Sequence, residues 1–424
     1  MMDVAEDAEK FIDIIHRDVL KMFDTVNDVV EHNQKKVIEA MQECKVSERH
    51  FSPSTGYGYS DDGRDTLDRL FALVFGSEAA LVSPQWASGT HVLSDCLYSI
   101  LRPGDTMLSI TGAPYDTLRE VIGIDEEGNN CSGSLKDWGI GYKQVELQED
   151  DRINIEKVEE ILKSDCTIKL VFMQRSKGYS WRNSIDIDEM EMVISKIRKI
   201  NPHIIIMVDN CYGEFTELKE PCHVGADIAV GSLIKNPGGG LAPTGAYVVG
   251  NKNIIERVAY RHTAPGIGRE VGSYAASYLP FYQGIFMAPH IVGEALKGAI
   301  LGARLFQELD YEVAPLWDSK RTDIIQSIKF EDKEQLITFC QSIQAASPVD
   351  GYVVPYPWDM PGYADQVIMA AGTFIQGASI ELSADAPIRP PYIAYMQGGL
   401  TYSHVKIALT NVLCNFIDKG YVKI

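Results

Sequence analysis

The sequence lacks the short motifs that mark metal-binding and secreted proteins. Its 424 residues include 8 cysteines and 9 histidines, yet no CxxC pair and no HExxH pattern occurs among them. We therefore expect no metal site and no disulfide framework, and the dispersed cysteines favour a reduced, cytoplasmic compartment. The acidic N-terminus has no apolar core, so no signal peptide is expected. No apolar run approaches the length of about 20 residues that spans a membrane.

The chain also has few basic residues for its size. Lysine and arginine number 39 against 59 aspartates and glutamates, which gives a formal net charge of -20. Such a charge repels nucleic acids and anionic membranes, so neither is an expected partner. Apolar residues make up 45% of the chain and charged residues 23%, the ordinary balance of a globular protein. The length suffices for two domains with a large core.

Apolar, strand-like runs alternate with helical patterns through most of the chain. This order is typical of an α/β fold with a mostly parallel sheet, in which ligands bind beyond the carboxyl ends of the strands. Residues 1–50 carry apolar positions at helical spacing and are predicted to form a helical arm. We place a large domain at residues 51–300 and a smaller C-terminal α/β domain at residues 301–424, where the rhythm changes. The apolar face of the arm needs a cover, which another subunit could provide.

Two apolar runs at the centre of this pattern end in chemically useful side chains. Residues 204–208 end in Asp209, and residues 228–231 are followed by Ser232 and Lys235. Continuous apolar runs suit strands that are buried on both faces. Pyridoxal 5'-phosphate chemistry needs such a lysine to hold the cofactor and such an acid to keep the pyridine nitrogen protonated. Each residue alone would read equally well as a turn residue or a solvated charge, so the interpretation depends on their surroundings.

A second stretch offers a place for a phosphate group. Ser88, Gly89 and Thr90 precede a helical pattern. A small-residue turn at the start of a helix presents free backbone N–H groups and the positive end of the helix dipole, which together bind anions. An ordinary serine cap would give the same sequence pattern. Tyr115 also follows a predicted strand, where it is either a ligand-facing ring or a tyrosine that anchors a loop.

The order of these motifs resembles a known group of enzymes. Ser88-Gly89-Thr90, Tyr115, Asp209 and Ser232-x-x-Lys235 resemble the fold-type I pyridoxal-phosphate enzymes, and within them the Cys/Met-metabolism group. The chain is most similar to the bacterial branch described as aluminium resistance or methionine gamma-lyase proteins. That branch is indicated by GYGY at 56–59, GRDTL at 63–67, QRSKGY at 174–179, GGGLAP at 238–243 and TAPGIG at 263–268. The resemblance covers residues 50–415 and implies a fold-type I fold with pyridoxal phosphate as cofactor.

The resemblance also assigns roles to individual residues. It implies that Lys235 binds the cofactor and then acts as general base and acid. Asp209 would pair with the pyridinium, and Tyr115 would stack on the ring and help to protonate the leaving sulfur. The phosphate would be held by Ser88, Gly89, Thr90 and Ser232.

The resemblance also assigns roles to four arginine and tyrosine residues, and not all of them follow the pattern of the relatives. In the relatives a tyrosine and an arginine two residues apart reach the phosphate of the neighbouring subunit, and we assign Tyr57 and Arg64 to this role, with Tyr59 as the alternative to Tyr57. Arg389 is the best match to the arginine that binds the substrate carboxylate, since a guanidinium fork suits a carboxylate. Arg175, at a strand end where the relatives place an asparagine, is the second candidate for substrate binding.

The expected function is a pyridoxal-phosphate carbon–sulfur lyase that acts on a small amino-acid substrate. Elimination at Cβ or at Cγ would release a thiol, a 2-oxo acid and ammonia, and the sequence leaves the substrate and the position of elimination open. Another reaction on the same fold, such as that of an aldolase, aminotransferase or decarboxylase, is the main alternative. A nucleotide-binding protein is a further one, although no GxxxxGK[ST] occurs. The resemblance implies a homodimer as the minimum unit and a homotetramer as the full assembly.

Overall fold

The computed structural model describes residues 2–124, 132–360, 363 and 365–424. Within these ranges the chain forms helices and strands in the alternating order expected from the sequence. The helices are α1 (Met2–Glu43), α2 (Asp62–Val74), α3 (Gly89–Ile100), α4 (Asp116–Ile122), α5 (Ile155–Ser164), α6 (Ile187–Ile200), α7 (Lys252–His262), α8 (Leu279–Glu308), α9 (Lys333–Ala345) and α10 (Tyr402–Asp418). The strands are β1 (Ala79–Ser83), β2 (Thr106–Ser109), β3 (Gly141–Gln144), β4 (Ile168–Gln174), β5 (Ile205–Asp209), β6 (Ile228–Ser232), β7 (Ala246–Gly250), β8 (Glu312–Ala314), β9 (Ile325–Lys329), β10 (Val367–Ala370), β11 (Ser383–Pro387) and β12 (Ile393–Gln397).

Seven strands form the large sheet, in the order β1-β7-β6-β5-β4-β2-β3. From β6 to β3 all neighbours are parallel, whereas β7 runs antiparallel to both β6 and β1. The central strands are largely apolar because both faces are covered: Val208 belongs to the core on one face and Met207 to the core on the other, whereas the edge strand β3 is partly exposed. The prediction of a mostly parallel α/β sheet is confirmed, and the carboxyl ends of six strands meet at one edge, because β1 and β6 both run antiparallel to β7.

A second sheet, wholly antiparallel, has the order β10-β11-β12-β9-β8. α9 packs on this sheet and α10 packs on α9. α8 leads from the large sheet to the second one and runs through the boundary predicted between residues 300 and 301, because its buried apolar positions continue past that point. The division into domains at that boundary stays a prediction.

The N-terminal arm is a single long helix, and its apolar face is covered within the same chain. Ala8, Ile12, Ile15 and Val19 are buried where α1 packs on α8 and α10. The helices approach closely, since a Cβ added at Gly293 would lie 2.4 Å from a methyl group of Val30. The expectation that another subunit covers this face is therefore wrong: α8 and α10 already do so.

α8 passes the length and composition test for a membrane span, which the sequence had not suggested. However, 72% of its most apolar stretch is buried inside the protein. It packs on α1, α10 and the second sheet, which makes it a core helix of this fold.

Candidate active site

The carboxyl edge of the large sheet gathers side chains from three neighbouring strands. Gln174, the last residue of β4, pairs with Asp209, the last residue of β5. Ser232 ends β6, and Lys235 follows in the turn after it. Because these strands are parallel, their ends share one edge, where α/β folds bind ligands.

A cavity of about 320 Å³ opens at this edge, between the two sheets. Five of the residues singled out from the sequence line it: Gly89, Thr90, Tyr115, Asp209 and Lys235. Side chains from the second sheet close the opposite wall. Among the residues that the structure describes, no group of three or more His, Cys, Asp or Glu side chains is placed to hold a metal ion.

The amine of Lys235 lies over an aromatic ring and close to an acid. Its Nζ is 4.1 Å from the centroid of the Tyr212 ring. Burial opposes the charged amine, but the neighbouring Cys211, Tyr212 and Asp209 raise the pKa of Lys235 above its ordinary value. Lys235 is therefore a cation whose amine lies over the face of the Tyr212 ring.

Asp209 is a buried acid at the carboxyl end of β5, and Lys235 is the cation that acts on it. Burial raises its pKa, while Lys235 and the backbone N–H of Cys211, which donates to Oδ1 at 3.1 Å, act in the opposite direction. A protonated pyridine nitrogen would supply the charge that keeps Asp209 ionised when Lys235 is no longer a free ammonium.

The start of α3 lies beside Ser232 and leaves room for an anion. Ser88 is the N-cap of α3, and its hydroxyl accepts the N–H of His91 at 3.1 Å. A Cβ added at Gly89 would occupy the gap and lie 3.8 Å from the Cβ of Ser232. The backbone N–H groups at the start of a helix and a buried hydroxyl are suitable donors for a phosphate. The residues present thus fit pyridoxal phosphate at both of its ends.

Tyr115 is the residue directly before α4, and two hydrogen bonds hold it in place. Its backbone N–H donates to Oε1 of Gln174 at 2.7 Å, and its hydroxyl lies 2.8 Å from the hydroxyl of Tyr363. Burial is the main reason why the pKa of Tyr115 is well above its usual range. The phenol therefore keeps its proton at neutral pH.

Further tyrosines and an acid, none of them expected from the sequence, complete the cavity. Tyr115, Tyr179, Tyr363 and Tyr395 form a tyrosine cluster in which neighbouring ring centroids are 5.2 to 6.2 Å apart. Asp385, from β11, faces the same space. Burial raises the pKa of Asp385 to about 6, although Gln397 and Lys235 oppose the shift.

Comparison with known families identifies the family to which the chain belongs. The profile of the methionine gamma-lyase family matches residues 8–417. The chain belongs to this family. Its sequence is 54% identical to the protein YnbB of Bacillus subtilis strain 168 over 404 residues, which cover 95% of this chain and 94% of YnbB.

Solved structures agree with this family membership. The structure of a carbon-sulfur lyase involved in aluminum resistance from Clostridium novyi NT matches with a TM-score of 0.92 and 53% identity over 96% of both chains. The pyridoxal-5'-phosphate dependent protein YhfS of Escherichia coli shares the fold at a TM-score of 0.61 and 14% identity, over 93% of this chain and 97% of that one. The predicted fold-type I class is thus confirmed.

The structure places Arg175 outside the cavity, which corrects its assignment to substrate binding. The residue directly follows β4, but its guanidinium points away from the cavity and its side chain is 0% exposed. It pairs with Glu217 at 2.7 Å and donates to Asn210 at 2.8 Å. In this family member Arg175 is a buried structural charge, and Gln174, one residue earlier, faces the cavity instead.

Arg389 lies just after β11, half-exposed, and does not line the cavity either. Its guanidinium pairs with Asp365 at 2.9 Å. Its assignment to the substrate carboxylate stays a prediction, and in that role its guanidinium would have to leave Asp365. Within the described part of the lining, Lys235 is the one lysine or arginine.

The residues assigned to a neighbouring subunit lie apart from the cavity of their own chain. Arg64 is buried and donates to the backbone carbonyls of Gly58 at 3.0 Å and Gly272 at 3.4 Å, so it organises its own loop. Tyr57 and Tyr59 are 73% and 66% exposed. Their reach to another subunit stays a prediction.

Gln174 and Asp385 are two polar cavity residues that, like the further tyrosines, reasoning from the sequence missed. Gln174 ends an apolar run in the same way as Asp209, so the rule that singled out the acid could have found it. Asp385 stands in the short alternating run of β11, which gives no sign of the side it faces. Its position becomes apparent only when the two sheets are brought together.

Proposed function

We propose that this chain is a pyridoxal 5'-phosphate-dependent carbon–sulfur lyase. It would convert a sulfur-containing amino acid and water into a thiol, a 2-oxo acid and ammonia. One observation carries the proposal: Lys235 and Asp209 face one cavity from adjacent strand ends, beside the anion site at Gly89 and Thr90. The names of the relatives, which include a carbon-sulfur lyase, support the type of bond that is broken.

Each end of the cofactor has suitable partners in this chain. The backbone N–H groups at Gly89 and Thr90, with the hydroxyl of Ser232, would hold its phosphate. Asp209 would keep the pyridine nitrogen protonated. When bound, the cofactor supplies an electron-withdrawing ring that stabilises negative charge at the substrate Cα.

The remaining chemistry is proton transfer by residues of this chain. Lys235 would hold the cofactor, and its amine, once the substrate has replaced it, would remove the proton from Cα. Tyr115 lies across the cavity with a protonated phenol and would donate a proton to the sulfur that leaves. The hydroxyl of Tyr363, 2.8 Å away, can resupply that proton.

The identity of the sulfur amino acid and the position of elimination belong to the proposal rather than to the comparisons. A methionine gamma-lyase reaction breaks the bond at Cγ, and a cystathionine beta-lyase reaction breaks it at Cβ. Both use the same lysine and the same ring, so the residues described so far serve either reaction.

We also propose a cytoplasmic homodimer as the minimum active unit, with a homotetramer as the full assembly. The support is the exposed pair Tyr57 and Tyr59, which lies on a loop outside the cavity of its own chain. Exposed aromatic pairs are frequent at protein interfaces. The arm gives no support, since its apolar face is already covered.

A substrate panel tests the proposal directly. Purified protein with added pyridoxal phosphate is incubated with L-methionine, L-cystathionine and S-alkyl cysteines, and thiol, 2-oxo acid and ammonia are measured. We expect all three products in equal amounts from at least one substrate, and none from Lys235→Ala. Lys252→Ala, which changes an exposed lysine at the start of α7, is the matched control and should stay active. Turnover by Lys235→Ala at the level of the control would contradict the proposal.

A further inference from the structure

The wall of the cavity opposite Lys235 carries an acid without a counter-charge. Among the described side chains, Gln397 alone donates a hydrogen bond to Asp385, at 3.0 Å to Oδ2. No described lysine, arginine or histidine lies within the 4.0 Å of an ion pair with it. The carboxylate nevertheless lines the cavity, so its free oxygen is open to a ligand.

The rings around this acid are arranged to receive a positive charge. The tyrosine cluster and Tyr212 all lie in the cavity with Asp385. Aromatic faces carry negative charge and attract ammonium groups, most strongly where water is excluded. The hydroxyl of Tyr179 is buried, and no described residue lies in hydrogen-bond geometry to it. A buried hydroxyl without a partner is unfavourable, so this atom also points to a ligand that fills the space.

With the cofactor bound, the charges of the site would leave Asp385 without a dedicated partner. Asp209 would pair with the pyridinium, and Lys235 would no longer be a free ammonium that can move toward Asp385. Asp385 is partly buried, and a carboxylate that is largely removed from water is costly without a partner. A cationic group on the substrate removes that cost, whereas an apolar group such as the methyl of methionine does not.

We propose that Asp385 and the tyrosine cluster form a subsite for a positively charged nitrogen at the far end of the substrate side chain. The preferred substrate is then a thioether amino acid whose sulfur carries a substituent with a distal ammonium group. Asp385 sets this specificity by direct contact. The inference rests on the proposed function, because it assumes a loaded cofactor that receives the amino-acid end.

Two amino acids of equal shape test the subsite without any turnover. L-ornithine and L-norleucine differ only in their terminal group, an ammonium in one and a methyl in the other, and neither contains sulfur to eliminate. Their dissociation constants are measured by titration of the visible spectrum of the cofactor-loaded protein, with L-glutamate as an anionic probe. A hydrogen bond to a charged group predicts that L-ornithine binds about tenfold or more tightly than L-norleucine. L-glutamate should bind most weakly.

Two variants test whether Asp385 causes the preference for L-ornithine over L-norleucine. Asp385→Asn should lose the preference by weakening L-ornithine, with L-norleucine unchanged to within about twofold. Asp318→Asn, an exposed aspartate in the turn after β8, is the matched control and should keep it. Equal affinities of the wild type for both probes would overturn the subsite, as would an equal loss of both in Asp385→Asn, which indicates a general role in the site.

The two proposals fail in different ways. A protein that takes up no pyridoxal phosphate and shows no visible band refutes the proposed function before the titration begins. A protein with a visible band that treats L-ornithine and L-norleucine alike refutes the cationic subsite alone. The wild-type comparison needs no variant, so it stands even if Asp385→Asn does not fold.

Discussion

Removal of the charge of Asp385 should stabilise the cofactor-free protein at neutral and alkaline pH. The carboxylate is surrounded by protein, one described side chain donates to it, and the second sheet holds it in place. Asp385→Asn keeps the shape of the side chain and one oxygen that can accept the hydrogen bond from Gln397, but it removes the charge. A residue kept for function at the expense of stability should show this behaviour.

The magnitude follows from the displaced pKa. The pKa of Asp385 rises from 3.8 to about 6, chiefly because of burial. A shift of about 2 units corresponds to about 3 kcal/mol at 1.36 kcal/mol for each unit. Because the folded protein holds the proton more tightly than the unfolded chain, the penalty is absent below about pH 4, grows as the pH rises through the folded pKa, and is complete above about pH 7.

Urea titrations of cofactor-free wild type and Asp385→Asn, at about pH 4.5 and about pH 8, measure this difference. The variant should gain up to about 3 kcal/mol relative to the wild type at the higher pH, and much less at the lower pH. Groups common to both proteins cancel in the comparison, and Asp318→Asn should show no pH-dependent gain. A variant no more stable than the wild type at pH 8, or one with an equal gain at both pH values, would refute the reasoning.

Three further predictions test other parts of the structure. Asp209→Asn should lower kcat of the loaded enzyme at least ~100-fold, because the pyridine proton loses its partner; steady-state kinetics with unchanged kcat would contradict this. A mixture of inactive Tyr57→Ala and Lys235→Ala chains should regain activity after subunit exchange, whereas proven exchange without recovery would exclude a shared site. Arg175→Met should lower the free energy of unfolding by about 3 kcal/mol in urea titrations, since buried Glu220 loses its guanidinium partner while Glu217 keeps Lys320, and a neutral effect would show that the buried guanidinium is not structural.

The central sheet and its polar edge could be predicted from the sequence for a simple physical reason. Strands buried on both faces must be apolar throughout, so a charge such as Asp209 can appear only where the strand leaves the core. The same logic places Ser232 at the end of β6. The strand expected at residues 204–208 is observed at Ile205–Asp209, a shift of one residue.

The far wall of the cavity could not be predicted in this way. Asp385 lies on a short antiparallel strand, and such a strand reveals neither its register nor the side that faces a ligand. The choice between Gln174 and Arg175 depended on which of two adjacent side chains points into the cavity. Arg175 instead finds its partner in Glu217, 42 residues later in the chain, a contact that local pattern does not encode.

For the N-terminal arm, the sequence predicted the helix but not the surface on which it packs. Its helical spacing correctly predicted α1 and the apolar face that includes Ile12 and Val19. The spacing could not tell whether that face packs on its own chain or on another one. In the structure the face packs on α8 of the same chain. Gly293 of α8 makes this close packing possible, because a side chain at that position would clash with Val30 of α1.

The most direct test of the account is the site of cofactor attachment. The protein is loaded with pyridoxal phosphate, reduced with borohydride, digested and analysed by peptide mass spectrometry. The account predicts loss of the visible band on reduction and a single modified lysine, Lys235. Stable attachment at a different lysine, or a protein that binds no cofactor at all, would contradict it.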